Sequence, residues 1–384
     1  MNIQTTAPNA FPCLDGLRGI AAFWVLLSHI QILSGSPKVS ILSWGGLAVD
    51  LFMMLSGLLM AHHYLLRQEK EPWNETRTWF IFWIRRFFRI APLYYILLVV
   101  SFLLSPEMRV GRDAVAGVWP HTATDSLRYT GFEFDNLLAH LTFVFGFLPN
   151  YAFRTPLPDW SIGLEMQFYF VFPFIMLAVE KFGFGKISIS LILACLLAKW
   201  GFHGFFQQFG MPSFLPIKLY VFMIGIWLAI GRSKGLMKKA LLLSLVTIAP
   251  IIIYQRSAES IGLLLLVIGI FYLISDATLP LSRWLEHIVA PVRVVLSGKV
   301  SRFLGDCSYG LYLAHLLILV PVAGYLSTHS TYVESSSLTR FLICLVIVSP
   351  ASYLLSWVGH YLVEQPGIRF GKKITVNLRK PLIN

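Results

Sequence analysis

The stretch LDGLRGIAAFWVLLSHIQIL, from Leu14 to Leu33, decides the class of fold. A membrane-crossing helix needs roughly 20 mostly apolar residues. This run has that length, and its only ionisable residues are Asp15, Arg18 and His29. Working outward, runs of similar character lie near 14–34, 45–66, 89–105, 160–180, 186–204, 214–231, 239–255, 260–276, 307–327 and 340–363. Composition agrees: 56% of the 384 residues are hydrophobic and 13% are charged, against about 25% charged in soluble chains. That excludes a disordered chain, a coiled coil and most soluble enzymes. The expected fold is all-α, a polytopic integral membrane helical bundle of about ten transmembrane helices. A short re-entrant or interfacial segment is expected near 137–148, where an apolar run is flanked by Asp135, His140, Pro149 and Asn150.

Net charge is +12. In a membrane protein that excess speaks of sidedness, and no nucleic-acid partner is expected. If 137–148 does not cross and the N-terminus is cytoplasmic, the cytoplasmic connections are 67–88, 181–185, 232–238, 277–306 and the tail after Val363. With the helix mouths they carry 21 of the 31 basic residues. If 137–148 crossed, the basic loop around Arg232–Lys239 and the basic tail would face outward, against the positive-inside rule. Ten spans with both termini cytoplasmic is the expectation, with a bacterial inner membrane as the expected location.

The first residues carry no Lys or Arg, so a cleaved signal is not expected. Cys13, Cys195, Cys307 and Cys344 form no CxxC pair, and neither a disulfide framework nor a metal site is expected. The whole chain, 1–384, reads as one membrane domain with no appended soluble domain. Its longest loop, 106–159, is acidic and aromatic, either a plain external loop or a lid over an acceptor site.

Ionisable groups within spans are costly and by default mark function. Arg18 and His29 are eleven residues apart. On a helix that is three turns plus about 20°, so both project from one face about 16 Å apart. Asp50 and Glu165 each lie, like His29, about five residues below the outer end of their span. Two carboxylates and an imidazole at one depth would let a carboxylate orient the ring and raise its basicity. Arg86 and Arg89 are neighbours on one helical face, and guanidinium groups suit phosphate. Ser308, Tyr312 and His315 give the ninth span one polar face, which could serve hydrogen bonding between helices.

Taken in order, these segments resemble the acyltransferase-3 family of integral membrane acyltransferases. Leu14-Asp-Gly-Leu-Arg-Gly-Ile-Ala-Ala with His29 resembles its opening signature. Val49-Asp-Leu-Phe-Met-Met-Leu-Ser-Gly resembles its second, and Arg86-Phe-Phe-Arg89-Ile-Ala-Pro its arginine motif. Trp160 to Tyr169 matches its Trp-Ser-hydrophobic-x-x-Glu-x-x-Phe-Tyr pattern. Ser308-Tyr-Gly-Leu-Tyr-Leu-Ala-His315 and Glu364-Gln-Pro366 match the closing signatures. Many members carry two adjacent acids where this chain has Glu165 followed by Met166. The chain resembles the stand-alone members, among them bacterial polysaccharide O-acetyltransferases.

The resemblance implies transfer of an acyl group, usually acetyl, from acyl-coenzyme A to a hydroxyl of a glycan or lipid-linked sugar acceptor. Acyl-coenzyme A is then a donor substrate, with no permanently bound cofactor, and membrane lipids surround the chain. Arg86 and Arg89, with Arg18 at the mouth, would hold the donor phosphates. His29 is the candidate general base or acyl carrier, with Glu165 or Asp50 orienting it. Trp160, Ser308, Tyr312 and His315 are candidates for lining the pocket. The rival class is a proton-coupled carrier or flippase for a polar or lipid-linked substrate, since intramembrane His, Asp and Glu also serve proton coupling.

Overall fold

The structure is a computed structural model that describes residues 11–275 and 282–379. The N-terminal residues 1–10, segment 276–281 of the connection 277–306, and the end of the basic tail at 380–384 lie outside the described residues. Every regular element among the described residues is helical.

All ten apolar runs form helices. The first five runs lie in α1 (Pro12–Leu33), α2 (Gly45–Arg67), α3 (Thr76–Leu103), α6 (Trp160–Phe182) and α7 (Phe184–Gly201). The other five lie in α8 (Leu215–Ser233), α9 (Met237–Gln255), α10 (Ala258–Ile274), α12 (Lys299–Ser327) and α13 (Ser337–Gly359). Among the described residues, eight helices are long and apolar enough to cross a membrane, and Ala258–Ile274 is a shorter apolar helix. The chain is therefore an all-α, multi-pass membrane bundle. Two elements extend past their apolar runs. Helix α3 starts at Thr76 and so carries Arg85, Arg86 and Arg89 on helical backbone. Helix α13 continues through a π-helical turn, His360–Glu364, into α14 (Gln365–Arg379).

Segment 137–148 does not form a spanning helix. It begins in α5 (Phe134–Leu141), only eight residues long. Phe143 then takes a left-handed conformation, φ 59°, and a 3-10 turn follows at Val144–Phe147. The His140 ring stacks on Phe145 with centroids 4.2 Å apart, which closes the two short pieces on each other.

Two close helix crossings position the site. Lipid supplies no hydrophobic drive between helices, so small residues and tight backbone approach do that work. Helix α1 packs along α12, and a Cβ on Gly19 would stand 2.7 Å from the Leu304 backbone. Helix α2 packs along α8, and a Cβ on Gly225 would stand 2.7 Å from Leu58 N. The first crossing sets α1 and its His29 against the face of α12 that carries His315.

The long loop is folded rather than loose. Helix α4 (Ser105–Val118) packs on α12. Buried Arg128 donates to the carbonyls of Thr155, Pro156 and Leu157 at 3.0–3.3 Å and lies 3.8 Å from the Phe153 ring centroid. Asp159, just ahead of α6, accepts from Tyr94 Oη at 3.1 Å and Thr155 Oγ1 at 2.9 Å, with His140 Nε2 at 3.6 Å. Those bonds fix where α6 begins, and so where Ser161 and Glu165 point.

Candidate active site

Two imidazoles meet where α1 crosses α12. His29 Nδ1 lies 3.0 Å from the carbonyl of Val25, one turn back. It also lies 3.1 Å from Nε2 of His315. His315 Nδ1 in turn lies 2.9 Å from the Leu311 carbonyl. The rings are 4.9 Å apart between centroids, tilted by 48°. His315 is fully buried and His29 partly so. Arg112 and Arg128 of the long loop lie within electrostatic range of His29.

One turn back along α12, Tyr312 stands 6.4 Å from His315 between ring centroids. Its hydroxyl accepts from Ser161 Oγ at 2.8 Å and donates to the Pro158 carbonyl at 2.6 Å. Tyr312 is also a wall of a narrow cleft whose polar lining includes Arg18, Ser56, Ser161, Glu165 and Tyr309. Aromatic and aliphatic side chains, Phe52, Met53, Ile162 and Phe222 among them, form the rest. A mostly apolar cleft with a few convergent polar groups is the ordinary form of a small-molecule site.

At the other end of the cleft, Arg18, Arg86 and Arg89 gather around Glu165 and Tyr169, within electrostatic range of both. Glu165 Oε1 accepts from Ser56 Oγ at 2.9 Å and from the Tyr169 hydroxyl. The Arg86 guanidinium is 5.8 Å from the ring centroids of both Phe82 and Tyr169, and its Nε is buried with no hydrogen-bond partner. None of the three arginines makes a hydrogen bond or close ion pair among the described residues. Their neighbour Arg85 contrasts with them, holding Glu71 through two bonds of 3.0 Å. Glu364, brought in by the π-helical turn, lies within electrostatic range of Arg89 and is held by His360 Nδ1 at 3.1 Å. Such turns are over-represented at functional sites.

The expected carboxylate orienter of His29 is a correction. The ring's Nδ1 is occupied by Val25 and His315, and neither Asp50 nor Glu165 bonds to it. The equal depth expected of the three residues does not hold: Glu165 bonds Ser56, six residues or about 9 Å along α2 from Asp50, and sits with Arg18 at the end of the cleft away from His29. Asp50 faces α8, where Lys218 Nζ lies 2.7 Å from Oδ1 and 2.9 Å from Oδ2. Glu165 faces Ser56 and the arginines. Two of the pocket-lining expectations also change. Ser308 Oγ bonds back to the Gly305 carbonyl at 2.6 Å. Trp160 is buried in the core, outside the cleft wall. Tyr309, the neighbour of Ser308, lines the cleft instead.

Ser56, Tyr169, Lys218, Tyr309 and Glu364 were not singled out from the sequence. Ser56, Tyr169, Tyr309 and Glu364 sit inside the quoted signatures, which is the signal the sequence offers for them. Lys218 was legible as a cation at a span edge, but its partner was not.

A helical bundle with a mostly apolar cleft, three arginines near one end of it and a histidine pair beyond the other defines a multi-pass membrane protein with ionisable groups gathered inside it. The chain belongs to the acyltransferase-3 family, whose model, described as an acyltransferase domain, matches residues 11–357. It is similar to the peptidoglycan O-acetyltransferase OatA of Listeria monocytogenes, 26% identical over 345 residues, covering 80% of this chain and 49% of that one. It is also similar to the O-acetyltransferase OatA of Staphylococcus aureus, 27% identical over 348 residues, covering 83% and 52%. The chain spans about half the length of the curated relatives it matches. No solved structure matches it.

Proposed function

We propose that this protein is a membrane O-acyltransferase that moves an acyl group, acetyl by analogy with its relatives, from acyl-coenzyme A to a hydroxyl of a glycan in the cell envelope. The observation that carries the reading is the array of Arg18, Arg86 and Arg89. Among the described residues, these three guanidiniums have no bonded carboxylate or carbonyl. Burying charge is expensive; Glu165 and Glu364 offset part of that cost, and an anionic ligand would offset more. Coenzyme A carries phosphates, which guanidinium binds with two parallel bonds. The arginine end then faces the cytoplasm, where the donor is made. This agrees with the basic connections and with both termini on that side of a bacterial inner membrane.

From the arginines, the thioester arm would extend along the cleft past Glu165 and Ser161 toward Tyr312. His29 would act as general base on the acceptor hydroxyl. The long loop over this end is the natural entry for a sugar acceptor. Glu165 would hold Ser56 and Tyr169 in place and balance the arginines when the donor is absent. The same residues need no resident cofactor.

The test is transfer from radiolabelled acetyl-coenzyme A in membrane vesicles, counted in the glycan fraction. His29→Ala should lose about 10²-fold or more in rate, the scale of general-base catalysis. Undiminished transfer by His29→Ala would sink the assignment.

A further inference from the structure

We infer that His315 is the positioning residue of His29. It fixes the proton on Nδ1 of His29 and leaves Nε2 as the atom that takes the acceptor's proton. The inference rests on the reading of His29 as general base. It replaces the carboxylate of the usual base-orienting arrangement with a second, neutral imidazole.

The argument is one of donors and acceptors. A carbonyl oxygen can only accept. His315 Nδ1 faces the Leu311 carbonyl at 2.9 Å, so it carries the ring proton and its Nε2 carries a lone pair. His29 Nδ1 faces two acceptors, the Val25 carbonyl at 3.0 Å and that lone pair at 3.1 Å. It must therefore be protonated, and its N–H is shared between them. The opposite tautomers would set a nitrogen lone pair against each carbonyl, two repulsions for a single imidazole–imidazole bond. The hydrogen-bond network thus assigns both tautomers. His29 Nε2 is left with a lone pair and with no hydrogen-bond partner among the described residues.

The chemistry then balances. The acceptor O–H gives its proton to His29 Nε2 as its oxygen bonds the acyl carbon. The carbon–sulfur bond breaks, and the departing thiolate takes the proton from Nε2. Acyl-coenzyme A and alcohol become ester and coenzyme A thiol, and His29 returns to its starting state. While His29 is an imidazolium, its Nδ1–H bond to His315 Nε2 becomes charge-assisted and stronger. The pair therefore stabilises the charged ring that forms during transfer more than the neutral ring before it, which is where a base-orienting group earns rate. His315 itself gains no proton and touches no substrate.

The experiment compares His315→Gln, His315→Asn and His315→Leu in membrane vesicles with radiolabelled acetyl-coenzyme A, at equal amounts of monodisperse protein. A Gln carboxamide reaches the place of the imidazole Nε2, whereas an Asn carboxamide reaches only the place of Nδ1. His315→Gln should keep kcat within about fivefold. His315→Asn and His315→Leu should lose about 30-fold or more in kcat while the donor KM moves less than about twofold. A structural role would treat Gln and Asn alike and would scatter both constants. Equal kcat for Gln and Asn, or full kcat for Leu, overturns the inference. An inactive His29→Ala beside a fully active His315→Leu ends the pairing alone, whereas an active His29→Ala ends the reading of His29 as base.

Discussion

Lys218 closes on Asp50 with its Nζ 2.7 Å and 2.9 Å from the two carboxylate oxygens, and so ties α8 to α2 where those helices cross. Breaking a buried pair from one side strands the other charge, at a cost of about 3–5 kcal/mol. Asp50→Asn and Lys218→Met should each lower the melting temperature in detergent strongly. The double variant Asp50→Leu with Lys218→Met should recover most of that loss, because it strands nothing. Additive losses in thermal unfolding would show that the two side chains are not coupled.

Arg85 and Arg86 are adjacent in sequence and differ in commitment. Arg85 is spent on Glu71, whereas Arg86 and Arg89 are bonded to no carboxylate among the described residues. Arg86→Ala and Arg89→Ala should raise the donor KM about tenfold or more, the worth of a charge-assisted bond, with a smaller change in kcat at saturating donor. Arg85→Ala should lower thermal stability with donor KM little changed. Initial rates against acetyl-coenzyme A concentration separate these outcomes, and the reverse pattern would remove Arg86 and Arg89 from donor binding.

Tyr312 stands between the cleft and the histidine pair and is held by Ser161 and the Pro158 carbonyl. Tyr312→Phe leaves a buried hydroxyl and a carbonyl without their partner, a loss of about 1–3 kcal/mol. The variant should unfold at lower temperature and transfer more slowly, and Ser161→Ala added to it should cost little more. A double variant that loses the full sum of two independent effects would contradict the shared bond.

The α2–α8 crossing depends on a missing side chain at Gly225. Gly225→Leu should abolish the monodisperse peak in fluorescence-detected size-exclusion chromatography. Gly117 is the control, since a Cβ there meets nothing within 4 Å. Gly117→Ala should keep the peak and gain about 0.5–1 kcal/mol in helix propensity. Equal behaviour of the two variants would mean that the crossing is looser than drawn.

The sequence by itself determined the helices and the short list of candidate residues. Apolar runs of span length leave the backbone no other way to satisfy its N–H and C=O groups in lipid, so helix formation follows from local composition. With charge so scarce, Arg18, His29, Asp50, Arg86, Arg89 and Glu165 stood out individually. The sequence also fixed which residues share a face of one helix, as with Arg18 and His29, because the helical repeat is local. It could not fix which faces of different helices meet. A residue count gives depth only relative to the end of its own helix, and both the height and the rotation of one helix against another are set by packing. Here packing turns on the close approaches at Gly19 and Gly225. For that reason only the tertiary structure decided the relative heights of His29, Asp50 and Glu165 and their partners: His315 for His29, Lys218 for Asp50, and Ser56 with Tyr169 for Glu165.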